Sequence, residues 1–162
     1  MEFCMFRRQV LKKGGIAAIG AVTLSSGVVS ANNRSRNPPN DNVPSAEVSA
    51  FGFDEVQDVS TGEWIVHRIG WISPTEDAVH EALEKMEIRA WLDGEEITDA
   101  DSYWGDTFVN DDDIYQAEWQ YTTPPRSPGE YKITIRIEFT EDYSEDWSEG
   151  DYIVTTGDYK VS

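Results

Sequence analysis

The chain has 162 residues, 27% of them charged and 12% aromatic, and a formal net charge of −18. This length allows one domain of ordinary size. The excess of carboxylates disfavours a nucleic-acid partner, because phosphate binding needs clustered lysine and arginine side chains.

The acidity has two interpretations. Residues 1–31 carry a net charge of +3, which leaves −18 − 3 = −21 for the remainder. Carboxylates keep a dense hydration layer, and at molar salt the Debye length falls to about 3 Å, so such a surface suits a protein that works at high salt. A disordered or cation-binding polyacid would instead contain few aromatic residues. Six tryptophans, seven tyrosines and six phenylalanines favour the folded, salt-adapted interpretation.

The N-terminal segment carries a pair of arginines ahead of an apolar run. Residues 5–13 read Met-Phe-Arg-Arg-Gln-Val-Leu-Lys-Lys, and a moderately apolar run follows as far as Val29-Ser30-Ala31. This run is shorter than the roughly 20 apolar residues of a membrane span. The segment resembles a twin-arginine export signal, and together with the acidity it makes the chain similar to a haloarchaeal-type exported protein. The resemblance implies recognition of Arg7 and Arg8 by the export machinery, export in the folded form, and cleavage after Ala31.

The fate of the signal decides what precedes the domain. An uncleaved signal that acts as a membrane anchor is the alternative to cleavage. Cys4 lies within the signal, so a cleaved chain has no cysteine for a disulfide, a thiol nucleophile or a metal ligand. Residues 32–45 are rich in Asn and Pro and predict a flexible linker. Asn33-Arg34-Ser35 within this linker is a candidate glycosylation triplet.

The domain predicted for residues 46–162 begins with two strands and a helix. Ala46–Phe53 and Glu63–Ile72 have strand-like composition, with apolar residues on both faces. Ser73-Pro74-Thr75-Glu76 is typical of a helix start, with Ser as the N-cap and Pro in the first helical position. Apolar residues at helical spacing then predict one short helix near 74–84 that packs on the sheets.

The most regular pattern of the domain is an uninterrupted alternation near its C-terminal end. Within Gly129–Thr140, every second residue from Tyr131 to Phe139 is apolar, which predicts an antiparallel strand with one face in the core. Other strand candidates are Met86–Leu92, Thr107–Val109, Ile114–Tyr121 and Tyr152–Val161, the last with a bulge at Gly157. About seven short strands separated by turns predict an all-β sandwich.

The corner Pro128-Gly129-Glu130-Tyr131-Lys132-Ile133 resembles the entry to strand F of immunoglobulin-like domains. The resemblance implies an immunoglobulin-like antiparallel β-sandwich in which the Tyr131 hydroxyl bonds back to the backbone and Ile133 faces the core. It also implies that Trp91 matches the core tryptophan of that family. The likeness is architectural and implies no activity.

Carboxylates in loops are the candidate metal ligands. Asp111, Asp112 and Asp113 supply the oxygen ligands that Ca²⁺ prefers, although their spacing is not that of an EF-hand. The carboxylates of the acidic loop 141–151 are a second candidate for binding Ca²⁺. For both loops, the alternative is that the carboxylates are only solvated. His67 lies in an apolar strand, which predicts a position at the edge of the core. With two histidines and no cysteine after cleavage, we expect no catalytic residue and no cofactor besides a candidate Ca²⁺.

Aromatic residues in acidic loops are the candidate ligand contacts. Trp104, Tyr143 and Trp147 lie in irregular segments, where exposed rings can stack on sugars or anchor a protein partner. The alternative is that these rings close the ends of the sandwich under the loops. We therefore predict a non-enzymatic extracellular or cell-surface binding module for a protein or glycan. A carbohydrate-binding module that uses Trp104 and Trp147, or a small acidic hydrolase, is the alternative.

Overall fold

Nine strands and one α-helix form the part of the chain that the computed structural model describes, residues 43–50 and 56–162. The strands are β1 Ser45–Ser49, β2 Gln57–Val59, β3 Trp64–Ser73, β4 Met86–Leu92, β5 Glu95–Glu96, β6 Phe108–Val109, β7 Tyr115–Thr123, β8 Gly129–Phe139 and β9 Tyr152–Val161. The helix α1, Glu76–Lys85, joins β3 to β4, and a 3₁₀ turn covers Ala100–Tyr103. The predicted export signal with Arg7, Arg8 and Ala31, and the Asn33 triplet, lie outside the described residues.

The strands form two sheets of a β-sandwich. One sheet has the order β1-β3-β7-β6 and the other β2-β9-β8-β4-β5. The predicted all-β sandwich is confirmed. The expectation of purely antiparallel sheets was wrong, because β1 pairs with β3, and β2 with β9, in parallel. Neither parallel pair is consecutive in the chain, so no hairpin constrains its direction.

The core lies between the sheets and is supplied mainly by alternate residues of facing strands. On β8, Ile133, Ile135, Ile137 and Phe139 are buried, as the alternation predicts. The register places Ile88 of β4 opposite Ile137, so neighbouring strands contribute side chains to the same layer.

The helix begins two residues later than predicted. Thr75, rather than Ser73, is the N-cap, and its Oγ1 accepts the backbone N–H of Ala78 at 3.2 Å. Ser73 is instead the last, buried residue of β3. Pro74 therefore precedes the helix and separates it from the strand.

The Tyr131 corner has the contacts that the resemblance implies. The Tyr131 hydroxyl donates to the Ser127 carbonyl at 2.8 Å, and Ile133 is fully buried. The Arg126 guanidinium lies 4.2 Å from the centre of the Tyr131 ring. The corner is thus fixed by a backbone hydrogen bond and a cation–π contact.

The core tryptophan is Trp119 of β7, and the assignment of Trp91 to that role was wrong. Trp91 shares its side of β4 with Glu87 and Arg89, opposite the buried Ile88. Alternation along the strand therefore directs its ring to the outer side of the sheet.

Gly157 allows a close approach between the sheets, and the predicted bulge there was wrong. The register of β8 and β9 is continuous through it. A Cβ at Gly157 would lie within 3.0 Å of the Ser49 carbonyl oxygen. Nearby, the Gln57 side chain accepts from the Ser49 N–H at 2.8 Å and donates to its carbonyl at 2.9 Å, which satisfies the end of β1.

Candidate functional site

Two of the predicted ligand contacts, Tyr143 and Trp147, pack on the core beside α1. Both rings stack on Phe139, with ring centroids 5.5 and 5.1 Å away. The Tyr143 hydroxyl donates to the Ala78 carbonyl at 3.0 Å, and Trp147 makes an edge contact with Trp71. Both side chains are half-buried. These contacts match the alternative in which the rings close the end of the sandwich under the loops. Contact of Tyr143 and Trp147 with a ligand stays a prediction.

The third predicted contact, Trp104, follows the 3₁₀ turn. It forms an isolated β-bridge with Trp119 and packs half-buried against the core. Among the residues that the structure describes, neither Trp104 nor Trp147 belongs to the large apolar side chains that are exposed. A sugar ring would therefore meet only part of either indole.

The candidate calcium ligands Asp111, Asp112 and Asp113 form an exposed turn. Asn110 organises it, because its Oδ1 accepts the N–H groups of Asp112 and Ile114 at 3.0 and 3.1 Å. Asp113 adopts a φ of 57°, a left-handed conformation that Asp tolerates. Within residues 43–50 and 56–162, no three His, Cys, Asp or Glu side chains come close enough to hold a metal ion. The hydrogen bonds of Asn110 account for the conformation of the turn.

A cleft of about 350 Å³ opens on the outer side of β1, β3 and β7. Arg68 lies in it between Glu47 and Glu118, with contacts of 2.6 and 2.5 Å. Glu118 also accepts from the amides of Gln116 and Gln120 at 2.9 and 2.8 Å. Because both of its oxygens are already engaged, Glu118 has little capacity left for a ligand. We interpret this network as structural, since it ties β1 to β3 and β7.

His67 lies inside the core rather than at its edge, where its apolar strand predicted it. It is fully buried, its ring centroid lies 5.4 Å from that of Tyr159, and its Nε2 lies 3.4 Å from the Thr123 hydroxyl. Its Nδ1 has no hydrogen-bond partner among the described residues. Burial, and secondly the positive charge of Arg126, lower the pKa of His67 to about 3. A neutral ring without access to solvent is not placed to act as a base on a substrate.

The outer side of β4, β8 and β9 carries charged and aromatic side chains together. Residues two apart on a strand, and register partners on neighbouring strands, share one side of a sheet. The register pairs Arg89 with Arg136, and Trp91 with Thr134. Tyr152, on β9, shares this side. We call this surface the arginine–aromatic face, formed by Arg89, Trp91, Lys132, Arg136, Tyr152 and Lys160.

Each arginine of the arginine–aromatic face lies over an aromatic ring and pairs with a glutamate. The Arg89 guanidinium is 5.2 Å from the centre of the Trp91 ring and 2.7 Å from a glutamate of β5. The Arg136 guanidinium is 4.4 Å from the centre of the Tyr152 ring and 2.6 Å from a glutamate of β8. Such cation–π contacts are worth about 0.5–1 kcal/mol at exposed sites. They hold half-buried rings and guanidinium groups in defined relative positions on the outer side of the sheet.

Charge is distributed unevenly between this face and the rest of the described residues. Of their seven Lys and Arg side chains, four lie on the arginine–aromatic face. Of their 27 Asp and Glu side chains, six lie on the same side: Asp58, Glu87, Glu96, Glu130, Glu138 and Asp158. The rest of the described surface therefore has 21 carboxylates and only three cations. The face is close to neutral, whereas the remaining surface is strongly acidic.

Sequence reasoning missed Trp91 and Tyr152 as surface residues. The signal for Trp91 was available in the alternation of Met86–Leu92, which groups it with Glu87 and Arg89. No comparable signal joined Trp91 to Tyr152, because they lie about 60 residues apart and meet only through the register of β8. The arginine–aromatic face therefore forms only when β4, β8 and β9 pair, and no local sequence pattern predicts it.

No protein-family model, curated protein or solved structure matches this chain. In the described ranges, no helix is both long enough and apolar enough to cross a membrane. Function is therefore inferred from the described residues and their contacts.

Proposed function

We propose that the chain is a non-enzymatic binding module, extracellular or at the cell surface and adapted to high salt, whose contact surface is the arginine–aromatic face. The observation that carries this proposal is the concentration of four of the seven described cations and two aromatic rings on one side of one sheet. Arg, Trp and Tyr are the residue types enriched at binding hot spots. Carboxylates are depleted at interface centres, which fits a face that holds only six of the 27 described carboxylates.

The acidic remainder of the surface supports the same proposal. Like-charged surfaces repel, so a strongly acidic surface keeps copies of the chain apart. At molar salt this repulsion is screened beyond about 3 Å, while stacking on Trp91 and Tyr152 acts at contact distance. A nearly neutral face with rings is therefore suited to partner binding at high salt.

The resemblance of the N-terminal segment to an export signal supports an extracellular partner. We propose export in the folded form and cleavage after Ala31, with an extracellular protein or glycan as the partner. Carbohydrate binding through Trp104 and Trp147, and a small acidic hydrolase, stay alternatives. Neither has a specific supporting contact among the described residues.

Site-specific crosslinking should show that partners meet the arginine–aromatic face. The cleaved chain has no cysteine, so Thr134→Cys, beside Trp91, gives one unique attachment point for a photo-crosslinker. Phe108→Cys, an exposed position on the other sheet, is the matched control. We expect Thr134→Cys to crosslink a discrete partner from envelope extract in molar KCl, and Trp91→Ala to reduce that product about tenfold. Equal products from both attachment points, or none from Thr134→Cys, would reject the face.

The fold should depend on salt if the acidity is an adaptation to it. In molar KCl we expect native far-UV and near-UV circular dichroism, and in dilute buffer we expect both signals to be lost as carboxylate repulsion grows. Sodium sulfate at matched ionic strength serves as a second salt. A fold indifferent to salt would contradict the adaptation and redirect attention to cation binding by the acidic loops.

A further inference from the structure

The first five residues of β9 form a strand edge that is open on one side. β9 pairs with β8 over its whole length, whereas β2, on its other side, pairs only with residues 159–161. In the described part of the chain, no strand lies against residues 152–156 on that second side. An exposed strand edge presents N–H and C=O groups to which another strand can add. We call residues 152–156 the free edge of β9.

Hydrogen bonds at both ends of β9 show which residues point to the free edge. The Phe139 N–H donates to the Asp151 carbonyl at 2.9 Å, so Asp151 faces β8. The Ser162 N–H donates to the Val59 carbonyl at 3.0 Å, so Ser162 faces β2. Backbone groups of successive residues point to opposite edges of a strand. The residues that point both backbone groups to the free edge are therefore Tyr152, Val154 and Thr156. None of these six groups has a hydrogen-bond partner among the described residues.

The free edge lacks the features that protect sheet edges. Residues 152–156 read Tyr-Ile-Val-Thr-Thr, all of them aromatic or β-branched and none of them charged. Charged side chains, proline and short length are the usual protection against edge-to-edge pairing. At the opposite edge of the same sheet, β5 consists of Glu95 and Glu96, and the β6 edge of the other sheet has only two residues. About 17 Å of β9 is thus open to another strand.

The free edge borders the arginine–aromatic face. Tyr152 belongs to that face, and Val154, 42% exposed, is the register partner of Arg136 on the same side of the sheet. A strand added about 4.8 Å from β9 sets its own outward side chains beside those of Tyr152, Val154 and Thr156. Such a strand extends the face and leaves the half-buried rings and the ion pairs of the arginines in place.

Backbone chemistry and charge select the occupant of the free edge. A glycan has no ladder of amide N–H and C=O groups, so a polypeptide is the partner that satisfies this edge. Carboxylates flank it, Asp151 at one end and Asp158 at the other. A second copy paired antiparallel about Val154 would bring Asp158 of each chain to within one residue of Asp151 of the other, and like charges so placed are unfavourable. A segment with basic ends would instead meet complementary charges.

We propose that an extended segment of an extracellular partner protein adds to β9 as a further strand, with an uncharged centre along the free edge and lysine or arginine at its ends. This inference rests on the proposed function and identifies its partner as a protein. Backbone hydrogen bonds supply affinity in this binding mode, and alternate side chains beside the arginine–aromatic face supply specificity. Hydrogen bonds act at contact distance, so they persist at molar salt, which screens attraction between separated charges.

Synthetic peptides test the strand addition in molar KCl. The probe is a fluorescent peptide with the centre Thr-Val-Thr-Val-Thr and two lysines at each end. One control is N-methylated at all five central residues, and the other has glutamates in place of the lysines. By fluorescence anisotropy, we expect the N-methylated peptide to bind at least about tenfold more weakly than the probe and the glutamate peptide at least about threefold more weakly.

Each peptide result bears on one part of the proposal. Equal binding of the N-methylated peptide would overturn the backbone pairing, because that peptide offers no central N–H donors. Equal binding of the glutamate peptide would overturn the assignment of basic ends. Absence of binding by the probe would overturn the proposal as a whole.

Amide hydrogen exchange locates the bound peptide on the chain. Without peptide, we expect the amides of Val154 and Thr156 to exchange faster than that of Thr155, whose N–H faces β8. Addition of the probe should slow exchange at Val154 and Thr156 at least about tenfold, because their N–H groups gain carbonyl acceptors. Binding without slower exchange at these two amides would overturn the free edge as the site.

Proline variants remove single donors from open edges. Val154→Pro deletes an N–H that points to the free edge, a position where proline is tolerated because no ladder hydrogen bond is lost. Ile72→Pro is the matched control on β3. β1 ends beside Arg68, whose carbonyl accepts the Ala50 N–H at 2.9 Å, and Ile72 points its N–H to the same side beyond that end.

The two proline variants should differ in peptide binding. We expect Val154→Pro to weaken binding of the probe about tenfold or more and Ile72→Pro to change it less than about threefold. Thermal unfolding in the same buffer checks that each variant is folded, and Thr156→Pro replaces Val154→Pro if that variant unfolds. Equal losses from the β9 and β3 variants, or unchanged binding by the folded β9 variant, would overturn the strand addition.

Crosslinking through Thr134→Cys separates this inference from the proposed function. If Val154→Pro keeps the envelope product and Trp91→Ala loses it, the arginine–aromatic face binds its partner without an added strand and only the strand addition fails. If Val154→Pro loses the product and Trp91→Ala keeps it, the partner is held at the free edge and the proposed contact surface fails.

Discussion

Trp119→Ala should lower the free energy of unfolding by about 3–5 kcal/mol, the range found when large aromatic side chains are removed from cores. Trp119 is fully buried, stacks on Tyr121 at 6.2 Å and makes an edge contact with Tyr103 at 6.0 Å. Its indole N–H donates to the Ala100 carbonyl at 2.7 Å, which ties the 3₁₀ turn to the core. Urea unfolding in molar KCl measures the change, with the same salt for every variant.

Two further variants divide the effect of Trp119 into its parts. Trp119→Phe keeps a ring but leaves the Ala100 carbonyl without its indole donor, so we expect an intermediate loss of about 1–3 kcal/mol. Trp91→Ala removes an equally large side chain from the outer side and should cost about 1 kcal/mol, mostly its cation–π contact. A loss for Trp119→Ala no greater than that for Trp91→Ala would contradict the core assignment.

The strands that could be predicted are those whose pattern is local. The alternation from Tyr131 to Phe139 identified β8 almost to its ends, and Met86–Leu92 coincides with β4. Both strands bury one side and expose the other, so every second residue is apolar and the pattern can be recognised in the sequence. The Tyr131 corner could also be predicted from the sequence, because the hydrogen bond from Tyr131 to Ser127 spans only four residues.

The features that could not be predicted depend on contacts between distant segments. β2 has three residues, too few for a period, and exists because it pairs with β9. Trp91 and Trp119 both lie on amphipathic strands, so either could be the core tryptophan by sequence pattern. Trp119 is the buried one, because β7 is buried on the side that Trp119 shares with Ala117 and Tyr121. The arginine–aromatic face needs the registers of β4, β8 and β9 together.

His67 has a structural consequence that depends on pH. Its pKa is about 3 in the folded chain, because of burial and then the charge of Arg126, against about 6.5 when unfolded. Tyr159 also faces the ring, and burial raises the pKa of Tyr159 to about 12, so that group stays neutral at acidic and neutral pH. Between pH 6.5 and pH 3 the unfolded chain therefore binds a proton that the folded chain excludes. Stability present above pH 6.5 is lost as the pH falls through this window.

Acidification from pH 7.5 to pH 4 should thus cost the wild-type chain about 3 kcal/mol more stability than it costs His67→Leu. Carboxylate titration is common to both proteins and cancels in the difference, which urea unfolding at constant molar KCl measures. His67→Gln, a polar side chain that does not titrate, covers the case in which leucine disturbs the core. Proton uptake by His67 is the only titration that differs between wild type and the two variants. Parallel profiles of unfolding free energy against pH for all three proteins would therefore contradict the prediction. They would show that His67 takes up a proton in the folded chain and is not closed off from solvent.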